Sequence, residues 1–349
     1  MTSSRNLSRR DVLRLFGAAA AVSVVAGCGA GGQAVDTADA GHGTDLSDLL
    51  ARSGAPLVNT TVAASSTSVN HMWAQWGVLH GFYAKYGLDV QPQTNVTNAV
   101  AALAAGQLDF SASGVATTSG AVQGAPVKVA MVTFRDNLGV YASPSIGSVQ
   151  DLKGKRILGP ADMIKAIIKQ NGIDADKDVT WVTNNSSTQQ TIELVKQAKA
   201  DAFTGYPPAK FLADEAGLVE VTSVARVYPG SPVSIVGTST ALFQRNPVLV
   251  KRFLAGSIDS LEHMKANKAE VVAFFQSSWG FSPALAEKTY TVIPSDMFAD
   301  GKTDDAALTK VLEVTKLAQG RNDNIPLNQI WDFSLLDEVH AARAAAAGK

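Results

Sequence analysis

Cysteine is almost missing from this chain: there is one in 349 residues, at position 28. No intramolecular disulfide is possible, so the fold must rest on its core alone. Charge is sparse too. Asp, Glu, Lys and Arg make up 17% of the residues and nearly cancel, leaving a net −1. That balance excludes a polybasic surface that tracks phosphates, and no nucleic-acid partner is expected. There are five histidines, and neither His71 nor His80 has a partner at metal-ligand spacing. Catalytic signatures are missing as well: there is no Gly-x-Ser-x-Gly elbow and no second cysteine to serve as a nucleophile. No catalytic residue, metal or cofactor is therefore expected, and no internal repeat is found. The chain does have apolar residues in quantity, 46% of the total, which makes it globular, and a length that suggests two lobes.

The N-terminus has a pattern of its own. Ser8-Arg9-Arg10-Asp11-Val12-Leu13-Arg14 precedes an apolar run from Leu15 to Ala26, then Gly27 and Cys28. A basic start and a short apolar stretch make an export signal, too short to span a bilayer. The arginine pair resembles the twin-arginine export signal. Val25-Ala26-Gly27-Cys28 resembles a lipobox, whose cysteine is lipidated and becomes the new N-terminus. Residues 1–28 thus read as a lipoprotein signal and Cys28 as the lipid attachment point. Residues 29–45 are mostly Gly, Ala, Asp and Thr with little to bury, and read as a flexible tether. Removing residues 1–28 takes four of the 30 basic and one of the 31 acidic residues and leaves a net of −4.

The mature chain is organised around the stretch from Leu57 to Val90. An apolar, β-branched strand (57–64) opens through Ser65 to Asn70 into a helix expected over His71 to Gly87, and a strand resumes at Leu88. A helix (98–106) and a strand (107–113) follow, then a loop of Gly114 and the hydroxyl-rich VATTSG, and a strand from Val127 to Phe134. This β-α-β-α-β pattern predicts an α/β lobe with a largely parallel sheet, whose ligands gather at the carboxyl ends of the strands. A second series begins near Leu138, with strands at LGVYAS, ILG, VTWV and ADAF, and VSIVGTSTAL (Val233 to Leu242) reads as a return strand. The rest is helical. Asn246-Pro247 and Ser282-Pro283 each place an N-cap before a proline.

GFYAKYGLDV, ALAAGQLDFSASG, SVQDLKGKRI and DFSLLDE, in that order, resemble the nitrate, sulfonate and thiamine-pyrimidine-precursor (NMT1/THI5-like) family of ABC-transporter substrate-binding proteins. The resemblance runs from about Leu57 to about Glu338. It implies an α/β, type II periplasmic-binding-protein fold of two lobes joined by two crossovers, near Arg135 to Gly139 and near Val233 to Gly237. Lobe 1 would comprise 46–136 with 237–349, and lobe 2 would comprise 137–236. The implied protein is a monomer, lipid-anchored outside the cytoplasmic membrane, that hands a small solute to an ABC permease. A ligand-sensing lipoprotein that partners a signalling protein is the alternative. An exported enzyme on the same fold is disfavoured, since the cysteine-rich motif of the related pyrimidine synthase is absent.

In that frame the candidate ligand-binding residues are Ser66, Thr67, Ser68, Asn70, Trp73, Thr117, Thr118, Arg135, Asp162 and Tyr206. The hydroxyls and Asn70 serve equally as caps and turn formers. Trp73 and Trp76, three apart, serve equally as core. Arg135 either grips an anion or pairs with Asp136. Where relatives have Ser or Thr and Gly, this chain has Pro160, with no N–H, and Asp162. That departure favours a neutral or cationic aromatic ligand over a tetrahedral anion.

Overall fold

The computed structural model describes residues 46–348 apart from 66, 95, 185 and 299. The leader, Cys28, the tether and Ser66, on which the export, lipidation and part of the binding expectations rest, lie outside the described residues.

Ten strands form two five-stranded sheets. They are β1 (Val58–Ala63), β2 (Leu88–Gln93), β3 (Phe110–Ser113), β4 (Val127–Arg135), β5 (Gly139–Ala142), β6 (Arg156–Leu158), β7 (Thr180–Val182), β8 (Ala202–Gly205), β9 (Val219–Ser223) and β10 (Pro232–Ser239). The first sheet has the order β2-β1-β3-β10-β4 and the second β7-β6-β8-β5-β9. β1 runs parallel to β2 and β3, but β10 is antiparallel to both β3 and β4, so the first sheet is mixed rather than uniformly parallel. All eight residues of β10 are buried. That fits a strand in the interior of a sheet with its faces covered.

The helices used below are α1 (Val69–Leu79), α2 (Ala99–Ala104), α3 (Gly114–Val122), α4 (Asp162–Gln170), α5 (Thr188–Lys196), α6 (Ala209–Glu215), α7 (Pro247–Ala266), α8 (Lys268–Trp279), α9 (Asp305–Gln319) and α10 (Ser334–Ala347). Local chemistry sets their ends. Ser187 and Gln190 form a capping box at α5, Asn246 caps α7 by accepting from Leu249 N–H, and Asp304 does the same for α9 through Ala307. The helix expected over His71 to Gly87 is interrupted at Gly81, whose φ of 71° is left-handed, and restarts as the single turn Phe82–Lys85.

That break folds Tyr83 back between helices. Its ring lies over Gly77 of α1 and Gly256 of α7, and its hydroxyl shares a 3.1 Å hydrogen bond with Ser257. Beside it Phe253 stacks on Phe110 at 3.8 Å, joining α7 to the sheet. Each such buried ring contributes about 1.5–3 kcal/mol over its exposed state. A second cluster crosses between the sheets: Val129 and Val132 of β4 share it with Ile164 and Ile167 of α4 and with Leu308 and Val311 of α9. Helix α9 therefore binds the halves together.

The chain passes from the first sheet to the second at Asp136–Leu138 and returns at Tyr228–Ser231. The return falls a few residues before the expected Val233–Gly237, because those residues are already paired with β3 and β4. The crossovers are tied to each other. Asp136 N–H donates to the Ser231 carbonyl at 3.0 Å, and Ser231 N–H donates to Asp136 Oδ1 at 3.1 Å.

Candidate ligand-binding cleft

A cavity of about 670 Å³ lies between the two sheets, within the range typical of small-molecule sites. One wall is α2 and the outward face of α3, with Ser113, Ala116, Ser119, Gly120 and Gln123. The other is the turn from β6 into α4, Gly159 to Asp162, with Lys165, and the end of β8 with Thr204 and Tyr206. Strand ends from both sheets thus converge, as the α/β pattern predicted.

The turn is shaped by Gly159. Its φ of +81° suits glycine, and a Cβ there would meet Thr204 Oγ1 at 2.7 Å. Thr204 Oγ1 in turn donates to the Gly159 carbonyl. α4 then begins at Asp162, whose carboxylate spans the cleft. Ser119 Oγ–H donates to Asp162 Oδ2 at 2.6 Å, and Gln319 Nε2, from the end of α9, donates to the same oxygen at 2.8 Å. The Gln319 amide also reaches Ser119 Oγ at 2.9 Å and the Ser119 carbonyl at 3.1 Å, while its Oε1 is buried and accepts no hydrogen bond from the described residues. Lys165 leans away from the opening, 3.3 Å from Asp176 and 5.6 Å from the Trp181 ring. Burial pushes the Tyr206 phenol well above its ordinary pKa and keeps it protonated.

Of the expected site residues that are described, Asp162 and Tyr206 line this cavity and the others do not. Asn70 is fully buried in a reciprocal amide pair with Asn137, at 2.8 and 3.0 Å. Thr67 and Ser68 precede α1, beside a backbone bond from Val69 N–H to the Pro207 carbonyl at 3.2 Å that closes that side of the cleft. Ser68 Oγ is buried and unbonded among the described residues.

Trp73 belongs to the core: it has no exposure, its indole N–H donates to the Asn70 carbonyl, and its ring meets Phe253 edge-on. Thr117 and Thr118 were expected in a loop. Helix α3 already begins at Gly114, and its 3.6-residue period turns both threonines inward, Thr117 donating back to the Ser113 carbonyl at 2.7 Å. Arg135 stands over the Phe298 ring at 5.5 Å and donates to the Ser295 carbonyl; among the described residues no ion pair joins it to Asp136.

Ser119 and Gln319 were not anticipated. Ser119 lies within the hydroxyl-rich VATTSG but outside the expected site residues, and Gln319 ends a C-terminal helix with no local signal. His71 accepts the Ser65 N–H on Nδ1 at 3.0 Å, and burial lowers its pKa to about 4.

Two sheets joined by paired crossovers, with the cavity between them, define a periplasmic-binding-protein fold. The family model described as NMT1/THI5 like matches residues 68–271, and the chain belongs to that family. No curated protein sequence matches it. Among solved structures it is similar to the alkanesulfonate-binding protein SsuA from Xanthomonas axonopodis pv. citri bound to MOPS, at 12% identity over 82% of this chain and 98% of that one, with a TM-score of 0.63. It is similar to the periplasmic nitrate-binding protein NrtA from Synechocystis PCC 6803, at 13% identity over 82% and 89%, with a TM-score of 0.63. A conserved Candida albicans gene product described as having the generic periplasmic binding protein fold matches at 14% identity over 82% and 96%, with a TM-score of 0.61. At these identities the likeness concerns the fold.

Proposed function

We propose that this chain is the extracytoplasmic, lipid-anchored solute-binding component of an ABC importer. It captures one small molecule between its lobes and presents it to a permease in the cytoplasmic membrane, acting as a monomer held to the outer face of that membrane by lipid on Cys28. The observation that carries this reading is the cavity of about 670 Å³ walled by elements of both sheets, which paired crossovers join. The family supports it, and so do the sulfonate and nitrate binders of the same fold. Closure on ligand is then a population shift, because the closed form contacts the solute from both lobes and so binds it better. No covalent step is needed.

The ligand is a neutral or cationic ring of pyrimidine type rather than a sulfonate or nitrate. The lining carries one carboxylate, Asp162, and one ammonium, Lys165, already paired with Asp176; Arg135 lies elsewhere and Pro160 offers no N–H. Tyr206 supplies an aromatic wall for such a ring.

Thermal unfolding against hydroxymethyl- and formylamino-pyrimidines, thiamine, riboflavin, nitrate, taurine and alkane sulfonates tests both levels. A ligand at 100 times its Kd adds about 2.7 kcal/mol. A pyrimidine is expected to raise the midpoint, and D162N and Y206A to abolish the rise. A shift with taurine or a sulfonate instead overturns the ligand assignment and leaves the receptor; a ring that binds equally well to both variants overturns this cavity as the site.

A further inference from the structure

Outside the lining of the cleft, three helices bring His80 together with two residues more than 180 positions away. His80 follows the last residue of α1, His263 sits in the last turn of α7, and Glu270 sits in the first turn of α8. Their nearest ligand atoms all lie within 4.8 Å of one another. His80 Nε2 is 3.5 Å from Glu270 Oε1, and the two imidazole rings are 4.6 Å apart. Trp76 and Phe82 pack against both rings and wall the group off from the core side, while Glu270 remains half exposed.

We propose that His80, His263 and Glu270 form a zinc-binding site that staples α1, α7 and α8, with water in the fourth position. Two imidazole nitrogens and one carboxylate oxygen form a donor set suited to Zn²⁺, whereas Mg²⁺ and Ca²⁺ take oxygen shells. A tetrahedral ion with bonds of about 2.1 Å holds its ligands about 3.4 Å apart, so the group needs only a modest contraction. His80 Nε2 is buried and has no hydrogen-bond partner among the described residues.

The Trp76 indole is the reporter. Its Nε1–H donates to His263 Nδ1 at 3.1 Å in the metal-free protein. Zinc on Nδ1 displaces that donor. Zinc on Nε2 drives the ring proton onto Nδ1, against the same indole N–H. Either way the bond to Trp76 is lost when the metal binds.

The test is a titration of chelator-stripped full chain with ZnCl₂ and with MgCl₂, followed by calorimetry and tryptophan fluorescence. One Zn²⁺ per chain, a change in indole emission and a raised unfolding midpoint are expected, with no response to Mg²⁺. E270Q, at an exposed position, and H80Q are expected to weaken Zn²⁺ at least tenfold while leaving the metal-free midpoint close to its original value. W76F is expected to bind as tightly as the parent or tighter, because it removes the competing donor. No zinc binding, or binding that E270Q and H80Q leave unchanged, overturns the site.

Discussion

Ser119 and Asp162 belong to different lobes and are joined by a hydrogen bond of 2.6 Å across the cavity. A bond to an ionised acceptor contributes about 1.5–3 kcal/mol, and 1.4 kcal/mol is a tenfold change in population. S119A should therefore shift the ligand-free protein toward an open form, the more so when combined with Q319A, which removes the second donor to the same oxygen. Small-angle scattering should then show a larger radius of gyration. An unchanged radius in the double variant would mean that the apolar cluster shared by α4 and α9 holds the lobes together without this bond.

His71 should make the protein sensitive to mild acid. Its folded pKa, about 4, lies below the ordinary 6.5 because burial disfavours the charged ring, and its Nδ1 accepts the Ser65 N–H. The unfolded chain therefore takes up the proton first. The stabilisation is complete above about pH 6.5 and is lost as pH falls toward 4, to the extent of roughly 2–3 kcal/mol. Urea unfolding at pH 7 and pH 5 should reveal the loss, and H71Q should flatten it. An equal pH slope in H71Q would assign the effect to other groups.

Much of the fold was legible in the sequence because its signals are local. The strands at 58–63 and 127–135 coincide with runs rich in β-branched residues, that at 88–93 follows the expected resumption at Leu88, and the Asn246-Pro247 and Ser282-Pro283 caps begin helices where expected. The site was less legible. Thr117 and Thr118 read as loop residues because serine and threonine favour turns; tertiary packing makes the segment a helix and turns both inward. Trp73 points to the core because Phe253, 180 positions away, packs on its ring. Ser119, Gln319 and the grouping of His80 with His263 depend on contacts between distant segments, and nothing at either position announces them.

The C-terminal helix α10 is held to the first lobe through Asp259. Arg343 donates to one of its oxygens, and Lys85 (2.7 Å) and Tyr86 (3.0 Å) to the other, while Arg343 also reaches Glu262 at 2.6 Å. Burial alone would raise the Asp259 pKa, but the bonds from Lys85 and Arg343 outweigh it and hold the carboxyl below the usual range. D259A leaves two cations facing each other with their shared acceptor gone. A loss of about 2–4 kcal/mol is expected in chemical denaturation, somewhat below the cost for a fully buried pair. A change under 1 kcal/mol would show that solvent screens this cluster.

Gly77 and Gly256 enclose Tyr83 from two helices, and a Cβ would come within 2.4 Å and 2.5 Å of its ring. The ring cannot yield to one without pressing on the other, and its hydroxyl is tethered to Ser257. G256A should cost about 1–3 kcal/mol despite alanine's higher helix propensity. G256A combined with Y83L should recover part of that, and thermal midpoints of the three variants decide it.

The position of β10 bears on the order in which the protein takes shape during synthesis. β3 and β4 are joined only through β10, which leaves the ribosome after the whole second sheet has been made. The segment from 137 to 231 is continuous and can assemble its sheet at once, whereas the lobe begun first must wait, its strand edges unpaired, for residues 232–239. A nascent chain that has emerged only as far as residue 231 would therefore have the strands of the second sheet complete and those of the first incomplete. Any export route that accepts only folded cargo would have to hold this protein back until its last segments were in place.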